Sequence, residues 1–205
     1  FKRMLVKDIA SHLAFVAKSE GVEVEMEALN LIAQKVDGAM RDSLSLFDRL
    51  ISFSNNNLTY KSVIEHLNIL DYDYYFRVTE LLLKNNIEGL LNIFNEILEN
   101  GFEGHHFISG LASHFRDLLV AKDKATINLL EVGDNAKKKY LNQSSKASIS
   151  FLIQSIEKAN QCELNYKISK NQRLLVELTL MQIASITFDG EKKKPSNYII
   201  PATFF

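Results

Sequence analysis

A short run between Gly38 and Asp48 places one arginine, Arg41, just after a glycine and at the head of a helix-like apolar pattern. The start of a helix offers unpaired backbone N–H groups and the positive end of the helix dipole. The Arg41 guanidinium adds a permanent positive charge and a planar set of donors. These features suit the binding of a phosphate, so Arg41 and the adjacent Met40 are candidate nucleotide-binding residues. Local features alone also allow a simpler interpretation, in which Arg41 is a solvated residue that opens a helix.

Three apolar patterns with helical spacing would position this run. Their apolar residues are Ile9, Leu13, Val16 and Ala17, then Ala28, Leu29, Ile32, Ala33 and Val36, and then Leu44, Phe47, Leu50 and Ile51. Gly21 follows the first pattern and Gly38 follows the second, where a left-handed C-terminal cap is favoured. One serine and three asparagines at residues 54–57 then interrupt the helical pattern. We therefore predict three short helices in a first domain at residues 1–54.

The run that starts at Gly38 resembles the sensor-two motif of an AAA+ ATPase lid. Earlier residues extend the match in order and spacing to the lid domain of the bacterial DNA polymerase III gamma/tau family, at residues 6–13, 20–22 and 28–29. The resemblance implies that Arg41 reaches the γ-phosphate of ATP and that the lid rotates with nucleotide state. Ala39 stands where the family more often has a small hydroxyl residue, which is expected to weaken a helix cap without moving Arg41.

A second helical domain is predicted at residues 55–188. Apolar periodicity and capping residues indicate helices after Thr59 and near residues 74–83, 87–98, 106–120, 147–164 and 172–186, with a less regular helical stretch at 127–130. Four short segments resemble landmarks of the gamma/tau collar domain in the same order, at residues 67–71, 101–103, 114–119 and 171–178. Asn68 stands where the family more often has glycine, and asparagine also tolerates a left-handed turn. Because collars of this family pack against one another, Arg173 and Glu177 are the candidate oligomerisation residues.

The expected fold class is thus all-α, with a small three-helix AAA+ lid domain followed by a helical-bundle collar domain. Residues 189–197 are polar and charged and include Pro195, which is typical of a linker. We expect residues 189–205 to be such a linker or the start of a tau-type extension. Since the sequence does not begin with Met, we also expect it to be a piece of a longer chain.

Hydrolysis of ATP is not predicted for this chain by itself. A nucleoside-triphosphatase of this type needs a glycine-rich loop ending in Lys-Ser or Lys-Thr, and the sequence contains no Gly-Lys pair. The resemblance implies an ATPase core upstream of Phe1, which would bind ATP with magnesium in the full-length parent. We assign no catalytic residue here and expect no cofactor to be bound by this segment alone.

Composition restricts the other classes of function. The 24 lysines and arginines against 25 aspartates and glutamates give a formal net charge of −1, so nothing attracts the whole chain to nucleic acid or to an anionic membrane. Cys162 is the only cysteine, and the adjacent His105 and His106 point in different directions on a helix, so we predict no metal site. No apolar run is long enough to span a bilayer. We expect a cytoplasmic protein with no membrane partner.

The expected function is that of the lid and collar of a clamp-loader subunit, which couples upstream ATP binding to loader assembly and sliding-clamp loading in DNA replication. The resemblance implies other clamp-loader subunits as partners through the collar. It implies the sliding clamp and primed DNA through upstream parts, and a polymerase and a helicase through downstream parts. A stand-alone helical scaffold or adaptor without nucleotide binding would have the same fold and charge, and the sequence upstream of Phe1 would distinguish the two.

Overall fold

The structure is a computed structural model that describes residues 4–187 except residues 37, 55, 124 and 131. Within these residues it is all-α, as predicted. The ten α-helices are α1 Val6–Glu20, α2 Met26–Lys35, α3 Met40–Ser54, α4 Tyr60–Leu67, α5 Tyr72–Leu83, α6 Ile87–Glu99, α7 Gly104–Val120, α8 Asp134–Lys146, α9 Ile149–Tyr166 and α10 Gln172–Ile186. The remaining regular elements are a 3₁₀ turn at Ile127–Leu129 and two short parallel strands, β1 Glu23–Val24 and β2 Asn57–Leu58.

The first bundle consists of α1 to α4. The predicted apolar faces meet in its core, where Ile9, Leu13, Leu29, Ile32 and Phe47 are fully buried. Gly21 ends α1 in a left-handed conformation, with φ of 69°, and its amide donates back to the carbonyl of Ala17. This cap matches the prediction and turns the chain into β1.

The first core extends past the predicted boundary at residue 54. Leu58 and Val63 are both buried in it, and α4 packs on α2. Thr59 begins α4 with a capping box, because its side chain accepts from the Ser62 amide while the Ser62 hydroxyl accepts from the Thr59 amide. The strand pair between β1 and β2, which the sequence analysis did not predict, brings α4 back to α2. We propose that the first domain runs to the end of α4.

The second bundle consists of α5 to α10, and its central pair is α7 and α9. Its core is rich in phenylalanine, with Phe94, Phe107 and Phe115 fully buried. Cys162 lies in the same core, where burial raises the pKa of its thiol. The helices predicted for this region are present, and the predicted stretch at 127–130 is the 3₁₀ turn.

Helix α8 was not among the predicted helices. Its buried face is partly polar, since Gln143 and Ser144 lie on it beside Tyr140. A helix that buries polar groups shows weak apolar periodicity, which explains the omission. These polar groups are satisfied internally: His114 on α7 bonds to the Tyr140 hydroxyl through Nδ1 at 3.1 Å and to Gln143 Oε1 through Nε2 at 3.0 Å.

The connection between the two bundles is short and well capped. Asn68 adopts the left-handed conformation with φ of 48°, as its position in the sequence predicted. The amide of Ile69 donates to the Ile64 carbonyl at 3.0 Å, which closes the end of α4. The Asp71 side chain then caps α5 by accepting from the Asp73 amide at 3.0 Å.

Candidate functional site

Arg41 lies in the first turn of α3, and its side chain is exposed. Within the described part of the chain, its guanidinium forms no ion pair or hydrogen bond, and its backbone carbonyl accepts the Ser45 hydroxyl at 3.0 Å. Gly38 precedes the helix in the left-handed region, with φ of 84°. Arg41 is therefore an exposed arginine at the start of an amphipathic helix, where the sequence placed it, and its role in nucleotide binding stays a prediction.

The start of α3 has no side-chain cap from Ala39. The Ala39 carbonyl accepts the first helical hydrogen bond, from the Ser43 amide at 3.0 Å, but a methyl side chain cannot accept from the next amides. The first amides of a helix have no partner inside the helix. The first backbone amides of α3 and the positive end of its dipole thus lie beside the Arg41 charge. This arrangement favours the binding of an anion.

Met40 is positioned differently from Arg41. Its side chain is half-buried and packs against the first core. The buried Ser43 hydroxyl lies 2.7 Å from the Met40 carbonyl oxygen and 3.6 Å from its Sδ. The Met40 side chain therefore anchors the first turn of α3 on the bundle, and a role for Met40 in nucleotide binding stays a prediction.

Arg173 and Glu177 pair with each other on α10. Arg173 Nε donates to Glu177 Oε1 at 2.8 Å, and a second Arg173 nitrogen donates to Asn95 Oδ1 of α6 at 3.1 Å. Arg173 thus fixes α10 to α6 within this chain. Its use in contacts with another subunit stays a prediction.

Exposed leucines flank the Arg173–Glu177 pair. Leu174 and Leu178 are 46% and 45% exposed and lie one turn apart on α10. These two leucines were not among the residues predicted for the contact, which were Arg173 and Glu177. The apolar pattern of the sequence could have indicated them. Helix α10 is apolar on more than one face, whereas a helix that buries a single face needs only one apolar stripe.

A cleft of about 900 Å³ lies between the two bundles. Helix α2 contributes Glu27 and Lys35 on one side, and the second bundle contributes Tyr72, Tyr75 and Arg116 on the other. Burial raises the pKa of Tyr75 to about 12. The cleft is lined by both acids and bases, so its chemistry selects no particular ligand.

His114 and His105 make packing contacts within the second bundle. His114 is buried among aromatic rings, and both of its ring nitrogens are hydrogen-bonded. Burial lowers the pKa of His114 to about 4, so the ring is neutral at neutral pH. His105 packs edge-on against Tyr166, with ring centroids 5.3 Å apart. Across the described residues, no three side chains of His, Cys, Asp or Glu are grouped to hold a metal ion. None of the described helices combines the length and the apolarity that crossing a membrane requires.

Comparison with known proteins supports the same assignment. Residues 8–56 match the family model described as the DNA polymerase III clamp loader subunit, ATPase lid domain, and this segment includes Arg41. The chain is 24% identical over 195 residues to DNA polymerase III subunit tau of Bacillus subtilis, covering 95% of this chain and 35% of that protein. It is 26% identical over 179 residues to DNA polymerase III subunit gamma of Buchnera aphidicola, covering 86% of this chain and 48% of that protein.

A solved structure shares the fold. The DNA clamp loader delta protein of Bacillus subtilis superposes with a TM-score of 0.53 at 20% identity, over 90% of this chain and 58% of that chain. The chain spans about a third to a half of the length of the two gamma and tau relatives. The resemblance seen in the sequence is thus confirmed: the chain is similar to DNA polymerase III gamma and tau subunits, is all-α within the described residues, and matches the clamp loader ATPase lid model at residues 8–56.

Proposed function

We propose that this chain serves as the lid and collar of a clamp-loader subunit, which couples ATP binding in an upstream module to loader assembly and sliding-clamp loading. The observation that carries the proposal is Arg41, which is exposed at the start of α3 and has no carboxylate partner in the described residues. It lies inside the segment that matches the lid domain. An arginine kept out of internal ion pairs is available to a ligand from another module.

The residues around Arg41 fit a nucleotide phosphate. The guanidinium can donate two charge-assisted hydrogen bonds to phosphate oxygens, and the dipole of α3 favours the same negative charge. The Met40 side chain packs against the core and holds the first turn of α3 in place. The backbone that carries the Arg41 guanidinium is therefore fixed. ATP with magnesium, when bound, supplies the phosphoryl chemistry in the upstream module. Arg41 binds and orients the terminal phosphate from the lid side.

The collar provides the second half of the function. We propose that α10 contacts the collars of other clamp-loader subunits through Leu174 and Leu178, with Arg173 and Glu177 at the edge of the contact. An exposed apolar pair beside a hydrogen-bonded charge pair has the composition of a small interface core with a polar rim. The sliding clamp, primed DNA, a polymerase and a helicase are partners of the longer protein, which we place in the cytoplasm.

The test uses the longer protein that carries the ATPase module. We expect Arg41→Ala to weaken ATP binding by roughly 10- to 100-fold, because a hydrogen bond to a charged group contributes about 1.5–3 kcal/mol. Fluorescent-nucleotide titration measures the affinity, and a clamp-loading assay on primed DNA measures the consequence. Collar assembly, measured by light scattering, should be unchanged.

Arg49→Ala is the matched control. Arg49 is an exposed arginine on the same helix, more than two turns from its start, so it shares the charge and the helix but not the position. We expect it to leave ATP affinity and clamp loading at the wild-type level. If Arg41→Ala also left both at that level, the nucleotide role would be refuted and the scaffold interpretation would be favoured.

A further inference from the structure

Helix α8, which belongs to the second bundle, also contacts the first bundle. Asn135 and Lys139 are four residues apart on this helix, so their side chains emerge on the same side. The Asn135 amide donates to Glu27 Oε1 of α2 at 2.8 Å. Lys139 Nζ lies 2.7 Å from Asp73 Oδ1 at the start of α5. One helix of the second bundle therefore reaches the first bundle and the connection between the two bundles.

Lys139 also supports an aromatic contact across the connection. Its Nζ lies 5.0 Å from the ring centroid of Tyr72, the first residue of α5. The opposite partner of Tyr72 is Tyr60, the first residue of α4, with ring centroids 5.4 Å apart. The Tyr60 amide is itself held by the Glu25 carboxylate at 2.6 Å. A continuous set of contacts thus runs from the starts of α2 and α4 in the first bundle to α8 in the second.

The backbone between these contacts has little freedom. Only Ile69 and Leu70 separate the left-handed end of α4 at Asn68 from the cap of α5 at Asp71. Two residues between two capped helix ends act as an elbow rather than a flexible linker. A cleft of about 900 Å³ lies between the bundles, so the space around the elbow is not filled by packed side chains.

We propose that α8 is a clasp, in which Asn135 bonds to the first bundle and Lys139 supports the Tyr72–Tyr60 contact, and that together they fix the angle between the two bundles so that they move as one body. Each contact is an exposed hydrogen bond or ion pair and contributes little to stability on its own. Their effect is geometric, because Asn135 adds a second link between the bundles beside the covalent connection, while Lys139 holds the start of α5. A clasped joint transmits any rotation of the first bundle into the second. The clasp itself does not depend on ATP, and only its use in transmitting a nucleotide-driven rotation rests on the proposed function.

The test is a distance measurement between two spin labels without nucleotide. Lys18→Cys on α1 and Asn160→Cys on α9 provide exposed labelling sites in the two bundles, in a background carrying Cys162→Ala. For the chain with an intact clasp, we expect pulsed electron paramagnetic resonance to give one narrow distance distribution. The double variant Asn135→Ala, Lys139→Ala should shift and broaden it.

Lys138→Ala is the control, because Lys138 is the exposed neighbour of Lys139 and carries the same charge. Circular dichroism and thermal melting establish that each variant keeps both bundles folded, which is expected since only exposed side chains are truncated. A broad distribution with the clasp intact would overturn the proposal. So would a double variant that matches the unsubstituted protein, or an equal broadening in Lys138→Ala. Because no nucleotide is present, these outcomes are separate from failure of the Arg41 proposal.

Discussion

Acid should destabilise the second bundle through one buried residue, His114. Its ring is 2% exposed, its Nδ1 accepts from the Tyr140 hydroxyl, and its Nε2 donates to Gln143 Oε1. Gln143 in turn donates to the Phe76 carbonyl at 2.8 Å, so the network joins α7, α8 and α5. A proton added to Nδ1 would remove the acceptor and place an unpaired charge in the core.

The size of the effect follows from the difference between two pKa values. In the unfolded chain the pKa of a histidine is about 6.5, and burial lowers the pKa of His114 to about 4. The unfolded chain therefore binds more protons than the folded chain between these values, and stability falls as the pH falls from 6.5 towards 4. Lowering the pH from 7.5 to 5 should cost about 2 kcal/mol, and the full loss below pH 4 is about 3 kcal/mol.

Urea unfolding followed by circular dichroism, at pH 7.5 and pH 5, measures this change. Since other groups also titrate, the decisive quantity is the difference in unfolding free energy between the wild type and His114→Gln at each pH. That difference should shrink by about 2 kcal/mol on going to pH 5, because the variant cannot be protonated at this site. His66→Gln, which removes an exposed histidine outside this network, is the control substitution. A wild-type-minus-His114→Gln difference that stays constant between the two pH values would refute the argument.

Three further expectations can be measured on the chain as it stands. Leu178→Asp should reduce assembly with other clamp-loader subunits, as measured by size-exclusion chromatography with light scattering. Leu141→Asp, at a leucine of α8 that is 41% exposed, should assemble normally. Equal assembly of both variants would show that α10 is not part of the interface. Gly110→Ala should destabilise the fold by about 1–3 kcal/mol in urea unfolding, because the added methyl group would overlap the Tyr75 hydroxyl, and an unchanged midpoint would contradict this packing. Calorimetry should detect no ATP binding tighter than millimolar and no turnover by this chain alone, whereas micromolar binding with hydrolysis would require a site not described here.

Local signals predicted the helices well. The buried faces of α1, α2 and α3 follow the spacing seen in the sequence, and the caps at Gly21, Thr59 and Asn68 act where their residue types indicate. These features depend on residues within a few positions of one another, so a single sequence contains the information. The absence of a Gly-Lys pair and the isolated cysteine are equally direct observations.

Contacts between distant residues decided the rest. The position of α4 in the first core depends on Leu58 pairing beside Val24, 34 positions earlier in the chain. The sequence placed this segment in the second domain because the polar stretch before it interrupts the helical pattern. Helix α8 was not among the predicted helices because its buried face includes Gln143. Burial of this polar side chain is possible only because its amide bonds to His114 and to the Phe76 carbonyl.

The candidate site shows the same division. The sequence by itself determined that Arg41 stands at the start of an amphipathic helix in a lid-like segment, because residue type, periodicity and motif order are local properties. Only the tertiary structure decided that the Met40 side chain packs against the core, that Arg173 is held by Asn95, and that Leu178 stays exposed. Which face of a helix is covered, and which charge is paired, depends on neighbours brought together by folding rather than on the order of residues along the chain.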